Sequence, residues 1–339
     1  MKRYKLSELC SITNGKSNTI DSNNNGKYCF FDRSQIVKHS DKYLFDCEAI
    51  IIPGEGTDFI PKYFHGKFDL HQRCYKIESN NPNVNTKYLY YNILKNKDYF
   101  SLVATGSTVP SLRLSNFQNF ELTIHDLPTQ QHIVNTIGSI DDLIENLKNQ
   151  NKRLIKIGLS KINNLNENKT KNLLEIVNFV RGKEIGSLNY KHSKKDNMIN
   201  YLRVADLLSL GNTYVNKDKK LNIAQFDDIL CAFDGTPGRN NIGLLGAYCS
   251  GIYNLKCKEI DKGLVYFEIN SDLNQKIIRM FSRGTTILHA SKAINFLQYV
   301  EVSLEEKQSL NILFKKIVQN KKKIECLKFA KHNLLNKFF

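Results

Sequence analysis

LPTQQHIVNTIGSIDDLIENLKNQNKRL (127–154) opens with Leu-Pro and then places apolar residues at alternating spacings of four and three. That alternation is typical of a heptad seam, along which long helices pack against each other. Pro128 stands next to the first helical positions, a usual place for proline at a helix start. The pattern predicts a helix over 129–165, whose seam consists of Ile133, Ile137, Ile140, Ile144, Leu147, Asn151 and Leu154.

A second segment of the same kind covers 304–337. Its opening, SLEEKQSL (303–310), lacks the Leu-Pro of the first helix, so its start is less sharply defined. Each predicted helix has about 35 residues and therefore a length of roughly 50 Å. The predicted seam of the second helix consists of Leu310, Leu313, Ile317, Asn320, Ile324, Leu327, Lys331 and Leu334.

Each seam carries one asparagine near its middle, Asn151 in the first and Asn320 in the second. A buried asparagine at such a position costs stability but fixes the register of the helices. If the helices run antiparallel, the two asparagines lie at about the same level; the alternative is that both are ordinary polar residues in an Asn-rich chain. After Leu154 the seam meets Gly158 and Lys161, and we expect a stutter or loosened packing there.

The two helices close two halves that resemble each other. Three blocks recur in the same order, at offsets of about 167–181 residues. Such a repeat predicts two copies of one module, whereas the alternative is two generic α/β units with similar turns. The matched blocks are LSELCSITNGKS (6–17) with LLEIVNFVRGKEI (173–185), FDCEAIIIPGEGT (45–57) with FDDILCAFDGTPG (226–238), and ATGSTVPSLRLSNFQNFEL (104–122) with SRGTTILHASKAINFLQYVEV (282–302).

The part of each half that precedes its long helix reads as short strands, separated by Gly, Asn and Asp clusters, with helices between them. This mixture predicts an α+β fold with two mixed α/β domains. The predicted strands are 27–32, 49–53, 73–77, 120–124, 200–204, 229–233, 241–249 and 299–303, and the predicted helices between them are 85–96 and 271–282.

Composition excludes several classes of protein. No apolar run approaches the ~20 residues that span a bilayer. The N-terminal stretch MKRYKLSELCSITNGK has no apolar core, so we expect neither a secretory signal nor a membrane partner, and a cytoplasmic location. The eight cysteines stand singly, without a CxxC pair, which favours reduced thiols packed as small apolar groups.

The chain is basic, with 49 Lys and Arg against 33 Asp and Glu and a formal net charge of +16. This balance raises the prior for a nucleic-acid partner. An AT-biased genome, which favours Lys, Asn and Ile, explains it equally well. Most of the basic residues are Lys, whereas base reading favours Arg.

Catalytic motifs are missing from the sequence. There is no GxxxxGK[ST] phosphate loop, no HExxH, no ligand spacing among the histidines and no Asp/Asn-Pro-Pro-aromatic tetrapeptide. Glu55, Asp58 and Lys62 are interpreted as surface turn residues rather than as a nuclease site. We therefore expect a protein that recognises a target without catalytic residues, a metal site or a cofactor.

At this point the residues match a known family. The stretch 127–154, coming after GSTVPSLRLSNFQNFEL (106–122), resembles the first conserved helical region of specificity subunits from type I restriction–modification systems. DDILCAFDGTPGRNNIG (227–243), with GTTILHASKAINFLQYVEV (284–302), resembles the matching blocks of their second target recognition domain. The resemblance extends over nearly the whole chain.

The resemblance implies an architecture and a role. The implied domains are target recognition domain 1 (1–127), a conserved helical spacer (128–168), target recognition domain 2 (169–303) and a second spacer (304–339). The two recognition domains would form an internal pseudo-two-fold repeat, joined by an antiparallel coiled coil of the spacers. Each domain would read one half of a bipartite, asymmetric target in double-stranded DNA. The subunit would itself be non-catalytic and would dock two methyltransferase subunits and endonuclease/translocase subunits, to which the adenine-N6 chemistry belongs.

Base reading needs Arg, Lys, Asn, Gln or His in loops of the recognition domains. For each such side chain, plain surface solvation is the alternative interpretation. The candidates in the first domain are Arg33, Gln35, Lys38, His71, Gln72, Arg73 and Arg113. The candidates in the second domain are Lys191, His192, Lys194, Lys195, Arg203, Arg239, Asn240, Arg283 and Lys292.

Two other functions stay open at the level of sequence. One is the recognition subunit of a related type II system, in which methylation and cleavage share a partner chain. The other is a coiled-coil interaction scaffold with no role on DNA, which predicts only weak and sequence-blind binding to duplexes.

Overall fold

The computed structural model describes residues 2–56, 58–165, 169–284 and 288–339. Two units are distinguished, one formed by 1–143 with 327–339 (unit 1) and the other by 144–326 (unit 2). Both predicted long helices are present, over Leu127–Asn164 and Leu304–Phe338, and each contributes to both units. The second of the two matched blocks 104–122 and 282–302 includes residues 285–287, which lie outside the described ranges.

The described residues of unit 1 form eight strands, four short or medium helices, the first part of one long helix and the last part of the other. Its elements are β1 Lys2–Lys5, α1 Leu6–Leu9, β2 Cys10–Asn14, β3 Tyr28–Phe31, β4 Lys38–Ser40, β5 Phe45–Pro53, β6 Lys62–Leu70, β7 Cys74–Ser79, α2 Thr86–Lys95, α3 Asp98–Val103, α4 Leu114–Gln118, β8 Glu121–Ile124 and α5 Leu127–Asn164.

The main sheet of unit 1 has the strand order β2-β7-β5-β6-β3-β4. β5 lies inside it and is buried from Ala49 to Pro53, as expected for an unbroken apolar run covered on both faces. Because side chains alternate along a strand, Ile50 and Ile52 enter one cluster with Phe100 of α3, while Ala49 and Ile51 enter another. The core of unit 1 therefore lies on both faces of this sheet.

The described strands of unit 2 are shorter. They form two four-stranded sheets, with orders β10-β18-β14-β16 and β12-β11-β17-β13, and two two-stranded sheets, β15-β19 and β20-β9. Its elements are β9 Thr170–Asn172, β10 Val177–Arg181, β11 Met198–Leu202, β12 Tyr214–Asn216, β13 Ile223–Ala224, β14 Leu230–Ala232, β15 Asp234–Gly235, β16 Asn240–Asn241, β17 Gly246–Tyr248, β18 Ile252–Cys257, α6 Lys262–Ile269, α7 Asp272–Phe281, β19 Leu288–His289, β20 Gln298–Val300 and α8 Leu304–Phe338.

The two units share several strand pairings. In unit 1, β3 pairs with β6 in parallel and with β4 antiparallel; in unit 2, β11 pairs with β17 in parallel and with β12 antiparallel. The antiparallel pair β2–β7 recurs as β10–β18, and β1–β8 recurs as β9–β20. The predicted α+β class, with two mixed units and two long helices, is confirmed.

A close backbone approach explains the repeated Gly-Lys pair. A Cβ on Gly15 would lie 2.1 Å from the carbonyl oxygen of Leu70, and one on Gly182 would lie 2.3 Å from that of Tyr248. These distances are far below carbon–oxygen contact, so only glycine fits at either place. The next residue then donates its N–H to the same carbonyl, Lys16 to Leu70 at 3.1 Å and Lys183 to Tyr248 at 3.0 Å.

In unit 1 the last turns of α8 pack antiparallel on the first turns of α5. Lys331 Nζ lies 2.6 Å from Asp141 Oδ1, and further along α8 the ring of Phe338 meets His132, nearer the start of α5. Leu335 is buried between these contacts in a cluster with Ile133 and Ile137 of α5.

In unit 2 the same two helices are again antiparallel. Lys161 Nζ donates to Ser309 Oγ at 3.0 Å, and Asn320 Nδ2 donates to Asn151 Oδ1 at 2.9 Å. Both asparagines are buried, so they do lie at the same level and bond to each other. Whether this pair selects the register stays a prediction.

Of the two outcomes expected after Leu154, a stutter or loosened packing, the structure shows the stutter. Gly158 is buried, and a Cβ there would lie 2.2 Å from the Phe267 ring of α6. The next buried position of α5 is Ile162 rather than Lys161, so the seam shifts by one residue while the packing stays tight. The glycine is what allows a large ring to approach the helix axis.

Two further expectations need correction. The single strand expected over 241–249 is two, β16 and β17, because Gly243 has a φ of +83° and breaks the extended run. Lys62 lies on β6 rather than on a turn, and its Nζ donates to the Ser34 carbonyl.

All eight cysteines are free, and half of them, Cys10, Cys74, Cys231 and Cys249, are buried. Among the described residues, no helix combines the length and the apolar character that crossing a membrane requires.

Candidate nucleic-acid interface

In unit 1 the turn after β5 brings two arginines to one carboxylate. Glu55 Oε2 lies 3.0 Å from Arg33 Nη1, and Glu55 Oε1 pairs with Arg73 Nη1. The Glu55 side chain is mostly covered, whereas those of Arg33 and Arg73 are about half exposed. Each guanidinium therefore keeps N–H donors that face solvent, while one edge is held in place.

Main-chain hydrogen bonds fix the position of this turn. Gly56 N donates to Pro110 O at 3.0 Å and Leu112 N donates to Gly54 O at 2.8 Å. The segment that receives it is closed by a reciprocal pair between Thr105 and Ser111. We call Glu55, Arg33, Arg73 and this backbone frame the unit 1 basic turn.

The other candidates of unit 1 lie at different distances from the basic turn. Gln35 lines a shallow depression of about 270 Å³ together with Arg33, Glu55 and Val109. Lys38 pairs with Asp32 at 2.6 Å. Gln72 Nε2 donates to Asn18 Oδ1 at 2.5 Å.

His71 is buried, and its Nδ1 accepts from the Arg73 N–H at 3.0 Å. Burial, helped by the charge of Arg33, lowers the pKa of His71, so the ring is neutral at physiological pH and acts on Arg73 through the backbone. Arg113 is exposed, at the N-terminal boundary of α4, and no printed contact joins its side chain to the basic turn.

Unit 2 has a carboxylate at the equivalent place. Asp234 Oδ1 lies 2.8 Å from His289 Nδ1, and Asp234 Oδ2 lies 3.4 Å from Arg181 Nη2. Arg181 is held further by its Nε, which donates to Ser250 O at 2.8 Å. The side chains of Arg181 and His289 are more than half exposed, whereas Asp234 is mostly covered.

Two parts of the unit 1 backbone frame recur in unit 2. Arg283 and His289 exchange main-chain hydrogen bonds, as Thr105 and Ser111 do, and Ala290 N donates to Phe233 O at 2.7 Å, as Leu112 does to Gly54. Gly106 and Gly284 both have a positive φ, +116° and +124°, at the start of these loops. We call Asp234, Arg181, His289 and this frame the unit 2 basic turn.

Some predicted residues of unit 2 join this turn and others do not. Arg283 is exposed and belongs to its frame; Arg239 follows in the same chain turn, where its N–H donates to Thr236 O. Arg203 pairs with Asp206 at 3.7 Å. Asn240 is occupied by amide hydrogen bonds with Asn270. The remaining candidates are exposed outside the frame, on the 191–195 segment and at the start of the two-turn 3-10 helix Ser291–Phe296. They are Lys191, His192, Lys194, Lys195 and Lys292.

Sequence reasoning missed four members of these sites, which are Arg181, His289, Glu55 and Asp234. Arg181 directly precedes the repeated Gly-Lys pair, and the two acidic residues end the repeated strand blocks. That shared position was the available signal, although it does not show that a cation will be held there.

The arrangement supplies held and partly solvated cations, and it offers little for catalysis. A guanidinium fixed on one edge presents its other N–H groups in a planar fork, which matches phosphate oxygens or the O6/N7 edge of guanine. Among the described residues, no group of three or more His, Cys, Asp or Glu side chains is arranged to hold a metal ion. Both basic turns are therefore suited to binding an anionic polymer.

Comparison with known proteins gives consistent results. Residues 1–156 match the type I restriction modification DNA specificity domain. Over 156 residues the chain is 28% identical to the EcoDI type I restriction enzyme specificity subunit of Escherichia coli, a match that covers 46% of this chain and 34% of that protein. Over 84 residues it is 38% identical to the MjaIX specificity subunit of Methanocaldococcus jannaschii, covering 24% and 19% respectively. The matched stretches thus span about a third or less of these curated relatives.

The fold has a solved counterpart over the full length. A type I restriction–modification system S subunit from M. genitalium superposes with a TM-score of 0.58, covering 100% of this chain and 96% of that one, at 19% sequence identity. At that identity the likeness concerns the fold, and it includes both units and both long helices.

Proposed function

We propose that the chain is the sequence-specific DNA-recognition subunit of a type I restriction–modification complex, because residues 1–156 match the type I restriction modification DNA specificity domain. It is non-catalytic in this proposal and carries no cofactor. Its partners are double-stranded DNA, two adenine-N6 methyltransferase subunits and endonuclease/translocase subunits, and it acts in the cytoplasm. The four segments expected from the sequence, ending near 127, 168, 303 and 339, are the proposed domains.

The observation that carries this proposal is the recurrence of a carboxylate-anchored basic turn in both units. Glu55 and Asp234 occupy the same place in the same backbone frame, and each holds two groups that donate hydrogen bonds. Specific DNA readers need cationic groups for phosphates and fixed donors for base edges, and both turns supply them.

The proposed target is bipartite and asymmetric. The frame is repeated, but the anchored groups are two arginines in unit 1 and an arginine with a histidine in unit 2, and they come from different segments. Each unit therefore offers a different donor pattern, and one half-site per unit is the reading that fits. The residues proposed to contact DNA are Arg33, Gln35, Lys38, Arg73, Arg113, Lys191, His192, Lys194, Arg203, Arg239, Arg283 and Lys292. His71, expected from the sequence to read DNA, is buried, and its proposed role is to position Arg73.

The test uses the chain assembled with its methyltransferase partner and a pool of random duplexes. Wild type should enrich a two-part motif with an unread gap. Arg73→Ala should relax only one half-site and Arg239→Ala only the other, each with a loss of about 10–100-fold in affinity for the selected duplex, as expected for a lost base contact.

Matched controls remove the same charge elsewhere. Arg3→Ala, on β1, and Arg279→Ala, on α7, should leave the motif unchanged, because both side chains are exposed outside the basic turns. Failure of wild type to enrich any motif, with the partner present, would contradict the proposed function.

A further inference from the structure

Two apolar side chains are exposed far more than the rest. Ile20 is 91% exposed and Leu188 is 94% exposed, the two highest values for large apolar side chains among the described residues. Single exposed apolar residues are common on protein surfaces and need no explanation by themselves. These two require one because of where they lie.

Ile20 and Leu188 occupy equivalent positions in the repeat. Each is the central residue of a one-turn 3-10 helix, Thr19–Asp21 in unit 1 and Ser187–Asn189 in unit 2. Each helix follows the glycine-lysine pair whose backbone is pressed against a neighbouring carbonyl. The sequences of the two turns differ, but an uncovered aliphatic side chain is present in both.

Both turns are held firmly at their bases. In unit 1, Ser17 Oγ donates to the buried Asp69 at 2.8 Å, and Gln72 N donates to Ser17 O. In unit 2, Tyr201 Oη donates to Lys183 O at 2.9 Å, and Tyr190 Oη donates to Glu184. The aliphatic groups therefore project from fixed loops, which leaves them outside the core of their own unit.

Basic and amide side chains surround these turns. Gln72, the neighbour of Arg73 in the unit 1 basic turn, donates to Asn18, the residue before the first of the two helices. Leu188 stands just before the exposed basic segment that contains Lys191 and Lys194. In unit 2 the strand that ends at Arg181 leads directly into the Gly182-Lys183 pair. An apolar tip beside amide and basic side chains, which can donate to base edges and phosphates, matches a nucleic acid better than an apolar protein patch.

We propose that Ile20 and Leu188 are base-contacting residues, each entering a groove of the half-site that its own unit reads. Aliphatic side chains contact DNA by pressing against base steps or against the thymine methyl group, both of which are apolar. This inference rests on the proposed function and adds to it specificity-determining residues of apolar character.

The experiment uses the chain with its methyltransferase partner and the duplex selected by wild type. Ile20→Ser and Leu188→Ser should each weaken binding by about tenfold, the effect of losing much of one buried aliphatic side chain. Repeating the selection should show lost preference only in the unit 1 half-site for Ile20→Ser and only in the other half-site for Leu188→Ser. Ile20→Leu and Leu188→Ile should retain tight binding.

Leu102→Ser and Met280→Ser are the matched controls. They too are exposed, on α3 and α7, and they line depressions that contain none of the candidate reading residues. Both should bind as wild type does. Any of three results for the serine variants of Ile20 and Leu188 would overturn the inference. The variants would bind the selected duplex like wild type, would lose affinity equally for every sequence, or would no longer bind the methyltransferase partner. A wild-type complex that selects no motif is a different result and contradicts the proposed function instead.

Discussion

Gly158→Ala and Gly138→Ala make the same change in one helix and should act in opposite directions. Alanine is favoured over glycine in a helix interior by about 1 kcal/mol. At Gly138 the new methyl group would lie 3.4 Å from Lys87 Nζ, the end of a flexible side chain that can move aside. Gly138→Ala should therefore raise the free energy of unfolding by about 0.5–1 kcal/mol.

At Gly158 the methyl group would lie 2.2, 2.3 and 2.5 Å from three carbons of the Phe267 ring. Carbon atoms in contact are about 3.5–4.0 Å apart, so the ring or the helix must shift by more than ~1 Å. Phe267 is fully buried, and overpacking of this kind costs about 1–3 kcal/mol, here at the upper end. After subtracting the helical gain, Gly158→Ala should lower the free energy of unfolding by about 2 kcal/mol.

Urea unfolding followed by far-ultraviolet circular dichroism measures both changes; the chain has no tryptophan, so fluorescence offers only tyrosine. For a unit of this size, ~2 kcal/mol corresponds to a fall of about 4–8 °C in melting temperature. In a double-mutant cycle, Phe267→Ala should cost less when residue 158 is alanine than when it is glycine, because the space is then filled. Equal shifts of the same sign for the two glycine variants would refute the packing argument.

Two further predictions concern buried polar groups. Burial raises the pKa of Glu268 from 4.5 to about 7, so the folded state holds a proton that the unfolded state releases, and stability should fall as pH rises from about 4.5 to 7 and level off above. Glu268→Gln keeps an acceptor for the Val300 N–H but cannot titrate. In urea unfolding across this pH range, the variant should therefore show a smaller decrease of the free energy of unfolding with pH; the same decrease as in wild type would contradict the prediction. Asn151→Leu alone should cost about 1–3 kcal/mol, because Asn320 Nδ2 then keeps only its long, 3.4 Å hydrogen bond to Gln150 Oε1. Adding Asn320→Leu should recover most of this cost in urea unfolding, and an additive double variant would be the contrary result.

The long helices were predictable because a heptad pattern is local and strong. The spacing of Ile133 and Ile137 with Leu334 already indicates two helices that pack along their length, and the asparagine of each seam predicts their level once an antiparallel direction is assumed. What spacing alone does not show is the partner. In the sequence, Gly158 interrupts the apolar heptad pattern. In the structure, it leaves space for the ring of Phe267, which lies on a helix more than a hundred residues later in the chain.

Other elements have patterns that mislead. The run GLVYFEI in α6 is apolar on every side and reads equally well as a buried strand, because periodicity does not distinguish short buried helices from strands. NIGLLGAYC reads as one strand, yet the positive φ of Gly243 ends the extended run before β17 begins. In both cases the tertiary contacts determine which secondary structure forms, and these contacts cannot be read from a single sequence.

The candidate sites show the same division. Arg33 and Arg73 were predicted as readers from residue type and loop position, but their convergence on Glu55 depends on three loops meeting in space. Arg181 was missed because its significance comes from Asp234, which is 53 residues away in the chain. Local sequence thus identifies groups that are able to bind DNA, whereas their arrangement follows from the fold.

Under the proposed function, the two basic turns suggest a way for one module to read two different half-sites. Their frames consist of main-chain hydrogen bonds and glycines, as at Gly106 and Gly284, which impose few requirements on the side chains between them. The anchoring group is equally tolerant, since Glu55 and Asp234 perform the same task with different lengths. Substitution of the anchored cations therefore changes the donor pattern at little cost in stability, because those side chains are half exposed and contribute little to the core. A repeated module built in this way separates the residues that determine its fold from those that determine its target, which explains why the backbone of the repeat is retained while its reading residues differ.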